Sequence, residues 1–599
     1  MSMLVGTETR SLWSRLPLVG RATPLHTALL VAVYLFFAVF LIWPIVQIVY
    51  TGFYRPADEA AGTPGAVTLQ YLYTIFSDPQ LVAGLRNSVT VAVLTTGLAL
   101  LISLPLAVLS VRFDFAGRGL MTALLLVPLI LPPFVGAIGM RQLLSRFGPL
   151  SQLLGYGEVG FDWLGTFRFA GIVLIQALGL YPIMLLNLQA ALANIDPAME
   201  QAAYNLGASR RRVFFRITLP LMRPGLFAGC TLVLIWSFTE LGTPLMFDFY
   251  TITPVQVFKQ ITDVAGSPLP YALVVVMLAA STVLYLVGKV VLGRSISAAT
   301  TKASVQATPR KLTGWQGVAA LLPFVVVFAL AVLPHLTVVL TSVTAVGGWY
   351  RELFPSEFTS THYIEALRDN LAMPSVRNSV IYASLATLVA CVVGLTIAVL
   401  LVRSNVPGKT ALDSLAMLPL AVPGLVLAFG YLSISLFFTQ RYPELTRPGG
   451  VLVWLNAREF PVVLLVLAYA ARRLPYVVRS AVAGLQQTPQ DLELAAANLG
   501  ASRWTVMRRI TIPLIVANLV AGALLAFAFA MLEVSDSLIL AQQPVFYPIT
   551  KAIWELSQRL GDGMYIASAL GVWAMVLLGL TILGANQLLG QKMGAIFRA

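Results

Sequence analysis

Three carboxylates stand where carboxylates are costly. Glu240, in SFTELGTPLMF, and Glu533 and Asp536, in AMLEVSDSLIL, are embedded in otherwise apolar stretches. An ionised side chain at membrane depth costs roughly 3 kcal/mol or more and normally faces a cavity or a partner. Two chemistries suit them: a constriction that presents negative charge to a passing cation, or a hydrogen bond to a neighbouring span, and the second is favoured. Arg141, at the end of another apolar run, is either a contact for an anion or an arginine whose head snorkels to the interface, again with the second favoured. Other reactive constellations are missing from the sequence. A phosphate-cradling loop needs G-x-x-x-x-G-K-[ST], and Gly408-Lys409-Thr410 has Arg403 where the first glycine belongs. His26, His335 and His362 lie far apart with no metal-binding spacing. Cys230 and Cys391 sit singly in apolar runs, so neither a disulfide framework nor a CxxC site is available.

The elements that position these groups follow from composition. Of 599 residues 58% are hydrophobic and 11% charged, against about 25% charged in an ordinary soluble domain, and mean hydropathy is +0.84. This is the signature of an all-α integral membrane protein. Runs of about 20 apolar residues suffice to cross the hydrocarbon as helices. Twelve are expected, near 28–50, 88–111, 119–140, 169–190, 225–247 and 270–292, then 317–341, 379–402, 411–437, 461–480, 515–536 and 565–589. The first is too long for a signal-peptide core and lacks a cleavage site, so it reads as a retained span. The division is a cytoplasmic tail (1–27), a six-helix transmembrane domain (28–292), a Ser/Thr/Ala-rich linker (293–314) and a second such domain with a short tail (315–599).

The two domains are repeats. LRNSV at 85–89 matches VRNSV at 376–380, Arg112, Gly117 and Arg118 match Arg403, Gly408 and Lys409, and Pro128 and Pro132 match Pro419 and Pro423. EQAAYNLGASRRRVFFRITLP at 200–220 recurs as ELAAANLGASRWTVMRRITIP at 493–513, with 14 of 21 positions identical. Six spans return the chain to its starting side, so the repeats are parallel and both copies of this segment face one compartment. Placing them in the cytoplasm gathers most of the 39 Lys and Arg on that side, as the positive-inside rule requires. The net charge of +14 is thereby spread over many short loops, which speaks against nucleic acid as a partner.

Each copy is written as a helix-turn-helix elbow. Asp196-Pro197 supplies a cap and a first-turn proline, Gly207 a left-handed stop, and Ser209 the next cap before Pro220. The second copy has Thr488-Pro489 with Asp491 as a capping box, then Gly500, Ser502 and Pro513. Fourteen identities exceed what a connecting turn needs, and they point to one partner surface met twice.

The pattern Ala202-Ala203, Gly207, Ile217 and Pro220, repeated as Ala495-Ala496, Gly500, Ile510 and Pro513, resembles the EAA signature of binding-protein-dependent ABC importer permeases. The glutamate expected at Gln201 and Leu494 stands one residue earlier, as Glu200 and Glu493. The resemblance implies that these residues form coupling helices for two copies of a separate ABC ATPase on the cytoplasmic face, which carries the ATP and Mg; no cofactor resides on this chain. It also implies a soluble or lipid-anchored substrate-binding protein on the outer face, a bacterial cytoplasmic (inner) membrane location, and a permease rather than an enzyme. The fused chain and the segment FYPITKAIWEL resemble ferric-iron permeases most, with phosphonate, thiamine, polyamine or sugar import as alternatives. The reading from a different class is an ion-coupled secondary transporter using Glu240, Glu533 and Asp536.

Overall fold

Proline decides where the apolar runs break. In the computed structural model, which describes residues 24–55, 65–130, 132–263, 267–292 and 309–589, the run at 119–140 is three short helices, Arg118–Leu124, Val127–Ile130 and Pro133–Leu143. Pro132 and Pro133 cannot donate to the preceding turn, so the ladder is interrupted there. The matching run of the second half breaks at the same point, between Lys409–Ala421 and Gly424–Arg441, with Pro423 in extended conformation before the second helix. In the first half, ring nitrogen Nε2 of the buried His335 lies 3.3 Å from the Pro132 carbonyl at the break.

Among the described residues nine helices are long and apolar enough to cross a membrane, and a tenth crossing is a pair, Arg210–Leu221 and Arg223–Thr239, bent by 67° at the join. Two of the twelve expected runs are not among these. One is the broken run at 119–140. The other is 461–480, a continuous helix Val462–Gln487 about 39 Å long by its 26 residues, which carries Arg472, Arg473 and Arg479 and is therefore less apolar than a simple span.

The contacts resolve two compact units, one of residues 24–47, 377–546 and 580–589 and the other of 48–376 and 547–579 as described. Each unit combines helices of one repeat with the first span of the other. In the former, the first span up to Gln47 lies on Gly424–Arg441: the Tyr431 hydroxyl donates to the Phe40 carbonyl at 2.6 Å, and a Cβ on Gly430 would come within 2.6 Å of Pro44. In the latter, Trp315–Ser342 lies on Pro133–Leu143, and a Cβ on Gly139 would fall 1.8 Å from the Pro334 carbonyl oxygen. Gly139 and Gly430 are repeat equivalents. Small residues let helix backbones meet this closely in lipid, where packing and not water drives association.

The repeated RNSV landmark has a structural task. Asn87 donates its side-chain amide to the Thr251 carbonyl at 2.8 Å, and Asn378 donates to the Val545 carbonyl at 2.9 Å. Each ties a long helix to the loop that follows the carboxylate-bearing segment of its own half. Of the expected linker, residues 293–308 lie outside the described residues, as do 1–23 of the tail; Arg310–Lys311 is not loose but pairs as a two-residue parallel strand with Phe113–Asp114.

Candidate functional site

The elbows form as the sequence requires, with one correction. In the first, the Asp196 carboxylate accepts from Ala198 N–H at 2.9 Å, the helix Pro197–Asn205 follows, Gly207 takes φ +81°, and the Ser209 hydroxyl accepts from Arg212 N–H at 3.4 Å. In the second, Asp491–Asn498 ends before Gly500 at φ +86°, and Ser502 accepts from Thr505 N–H at 3.3 Å. The capping box at Thr488 and Asp491 does not form. Thr488 donates its hydroxyl back to the Gly484 carbonyl at 3.0 Å, closing the preceding helix instead.

Both elbows then pass through a π-helical turn, Phe214–Thr218 and Met507–Thr511. They diverge beyond it. The second runs on into Ile512–Met531, with Pro513 harmless in the first turn. The first is cut again at Arg223-Pro224, because Pro224 has no N–H to give the turn before it; the second copy has Val516-Ala517 there.

Glu200 and Glu493 occupy the same three-residue constellation. Arg112 donates from Nη2 to Glu200 Oε1 at 2.7 Å, and the Thr218 hydroxyl donates to the same oxygen at 2.6 Å. Arg403 donates from Nε to both Glu493 oxygens at 3.1 Å, and Thr511 donates at 3.1 Å; Arg403 Nη2 also reaches the Thr488 carbonyl at 3.0 Å. These ion pairs are 10–17% exposed, and charge-assisted bonds of this kind are worth about 1.5–3 kcal/mol each. The glutamate one place ahead of Gln201 and Leu494 thus clamps the elbow to the end of one long helix and the start of another. The outward face carries Ala202 and Ala495, exposed, with Ala203, Ala496, Leu494, Ile217 and Ile510 half-buried, Pro220 half-buried and Gln201 and Pro513 exposed. Just before each glycine, Leu206 is 88% and Leu499 89% exposed.

The intramembrane carboxylates are not alike. Glu533, buried, accepts from Arg472 and Arg473 of the helix Val462–Gln487. Asp536, fully buried, lies 3.4 Å from Arg472 Nη1. A Cβ on Gly424 would collide with the Arg472 guanidinium, so glycine there makes room for it. The matching positions of the first half are Gly179 and Leu180. Glu240 instead ends the helix Arg223–Thr239 and accepts from Thr243 N–H at 3.3 Å, supplying one backbone group freed where the span breaks. Arg141 pairs with Asp248 at 3.1 Å and donates to the Met246 carbonyl at 3.3 Å, so its charge is met by protein.

A multi-pass helical protein with a duplicated elbow that ends in exposed leucine has the form of the membrane subunit of a transport system. Residues 99–297 and 380–594 match the binding-protein-dependent transport system inner membrane component family, and the chain belongs to that family. It is therefore a multi-pass inner-membrane permease component. It is 28% identical over 94% of its length to the ferric transport system permease protein FbpB of Actinobacillus pleuropneumoniae, of which it covers 78%. A ferric transport system permease protein of Haemophilus influenzae is also 28% identical, over 85% of this chain and 77% of that protein. The molybdenum transport system permease protein ModB of Escherichia coli is 37% identical over 29% of this chain and 74% of its own length.

Proposed function

We propose that the chain forms the translocation pathway of an ATP-driven importer for ferric iron, with a separate ABC ATPase subunit, holding ATP and Mg, seated on each elbow and a binding protein delivering cargo on the outer face. The observation that carries the coupling role is the repeated elbow: the same left-handed glycine, the same Glu–Arg–Thr clamp and the same exposed leucine in both halves. Ferric iron is favoured over the other cargoes because likeness to the ferric permease of Actinobacillus pleuropneumoniae runs through 94% of the chain, whereas likeness to the molybdenum permease of Escherichia coli covers 29% of it. Glu533, Asp536 and Arg141 already have charged partners within the protein, which disfavours the ion-coupled alternative. Proteoliposomes holding the assembled transporter should take up ferric iron from its loaded binding protein only with internal ATP. Uptake of molybdate or an organic solute in place of iron would overturn the cargo, and uptake driven by an ion gradient without ATP would overturn the class.

Coupling itself is tested at the glycines. A Cβ at Gly207 or Gly500 meets nothing within 4 Å, so the cost of Gly207→Val and Gly500→Val is chiefly conformational, about 1–2 kcal/mol for a left-handed residue. The chain is expected to assemble and keep its helix content while the redirected elbow stops transmitting ATP hydrolysis to uptake. Normal uptake by both variants would mean that the angle of the elbow is immaterial.

A further inference from the structure

Two arginines on the side opposite the first elbow meet no carboxylate. The helix Trp163–Ala193, about 46 Å long by its 31 residues, leads to the elbow at one end, and the segment 144–162 precedes its other end. That segment presents Arg146 and Phe147, and the loop that follows the helix Trp315–Ser342 sets Tyr350 and Arg351 beside them. The Arg351 guanidinium stands 4.7 Å from the centre of the Phe147 ring and 5.4 Å from that of Tyr350. The Arg146 guanidinium lies 5.6 Å from Phe147, and the two rings are 5.3 Å apart. Both arginines are exposed. Among the described residues neither forms an ion pair, although Glu352 and Glu357 belong to the same loop as Arg351.

The loop holds this tip still. Its two arms are bonded to each other: Thr359 N–H donates to the Val343 carbonyl at 2.7 Å, Ala345 N–H to the Glu357 carbonyl at 3.1 Å and Ser356 N–H to the Gly348 carbonyl at 2.9 Å. The Tyr565 hydroxyl accepts from Gly347 N–H at 2.9 Å. Trp349 is buried beneath the tip, its indole N–H donating to the Leu353 carbonyl at 3.3 Å. Within this frame Arg351 has φ +61°, a left-handed backbone that a residue with a Cβ adopts at a cost. Among the described residues the only other non-glycine with positive φ is Asp248, whose carboxylate meets Arg141. Backbone strain of this kind persists where the surrounding structure imposes it and gathers at sites that bind. Tyr350, 57% exposed, and Phe354, 69% exposed, flank the strained arginine.

We propose that this tip is a docking point for the binding protein, which presents a carboxylate to Arg351 and Arg146 and an apolar surface to Tyr350 and Phe354; the assignment rests on the importer function proposed above. Arginine and aromatic side chains are where interface energy concentrates. A guanidinium fork held on an aromatic face pairs with a carboxylate in a fixed orientation, so the contact sets direction as well as affinity. The rigid frame favours a protein over a lipid surface. A membrane rewards apolar area and charge without asking for shape, whereas a pre-organised loop gains affinity by matching a partner whose own shape is fixed.

The assembled transporter in phosphatidylcholine nanodiscs, titrated with its iron-loaded binding protein, tests this. Arg351→Glu should weaken binding at least tenfold, the loss expected for one charge-assisted contact, and one Asp→Arg or Glu→Arg substitution on the binding protein should restore it. Arg351→Gly should weaken binding about tenfold yet melt no lower than the wild type, because glycine suits φ +61°. Wild-type affinity in both Arg351 variants would overturn the proposal, and a lowered melting temperature of Arg351→Gly with binding intact would show that the arginine only holds the two loops together. Loss of bound phosphatidylglycerol from these variants in mixed nanodiscs, with binding-protein affinity unchanged, would assign the tip to lipid instead. ATP-driven iron uptake by a wild-type transporter that binds no binding protein would overturn the binding protein's role and the docking point with it.

Discussion

Glu533→Ala is expected to lower the stability of the protein by about 3 kcal/mol, because it leaves a half-buried arginine pair without its shared, buried counter-ion. Glu533 accepts from Arg472 and Arg473, and Asp536 reaches only Arg472 among the two, at 3.4 Å, so Arg473 loses its carboxylate outright. Its Nε is already buried without a partner. In the first half the positions that match Arg472 and Arg473 are Gly179 and Leu180, and Glu240 accepts from a backbone N–H at 3.3 Å, so Glu240→Ala is expected to lower stability by less than Glu533→Ala. The double variant Arg473→Leu with Glu533→Leu should recover much of the loss, because Arg472 and Asp536 remain as a balanced pair. Thermal unfolding of the purified chain reads all three. A Glu533→Ala melting curve that coincides with that of the wild type would refute the lock, and abolished uptake with unchanged melting would place Glu533 in the cargo path.

The elbows were legible because their signals are local. A proline, a left-handed glycine and a capping serine act within four residues of themselves, and each does so at Pro197, Gly207 and Ser209. The clamp at Glu200 was not read, since its partner Arg112 lies 88 residues away and no periodicity connects them. The repeat nevertheless held the signal: Arg112 and Glu200 both recur, as Arg403 and Glu493, and two opposite charges kept in both halves are candidates for each other. Arg472 and Arg473 carried a similar one, for adjacent cations in one apolar run and two carboxylates in another are cheapest when paired. The seating of Pro44 against Gly430 and of Pro334 over Gly139 had no such trace, because a first span packs on some third span whichever half supplies it, and only long-range geometry chooses.

Leu206→Asp and Leu499→Asp are expected to release one docked ATPase subunit each, and the double variant both, with no change in how the chain itself melts. Neither leucine supports the fold: at 88% and 89% exposure they bury almost nothing within the protein. A leucine taken wholly out of water contributes about 1.5–3 kcal/mol, and a large apolar side chain entering a partner's pocket is where binding energy concentrates. Losing about 2 kcal/mol weakens binding roughly 30-fold, and a carboxylate that must be dehydrated in that pocket adds to the loss. Position matters as much as chemistry. Gly207 and Gly500, at φ +81° and +86°, turn the chain immediately after each leucine and leave it at the tip of the elbow, while the Glu200–Arg112 and Glu493–Arg403 clamps fix the helix behind it. Native mass spectrometry of the detergent-solubilised complex counts ATPase subunits per chain: two for the wild type, one for either single variant and none for the double. Two subunits retained by the double variant at wild-type affinity would show that the leucines are not the contact, and a lowered melting temperature would show that they serve the fold after all.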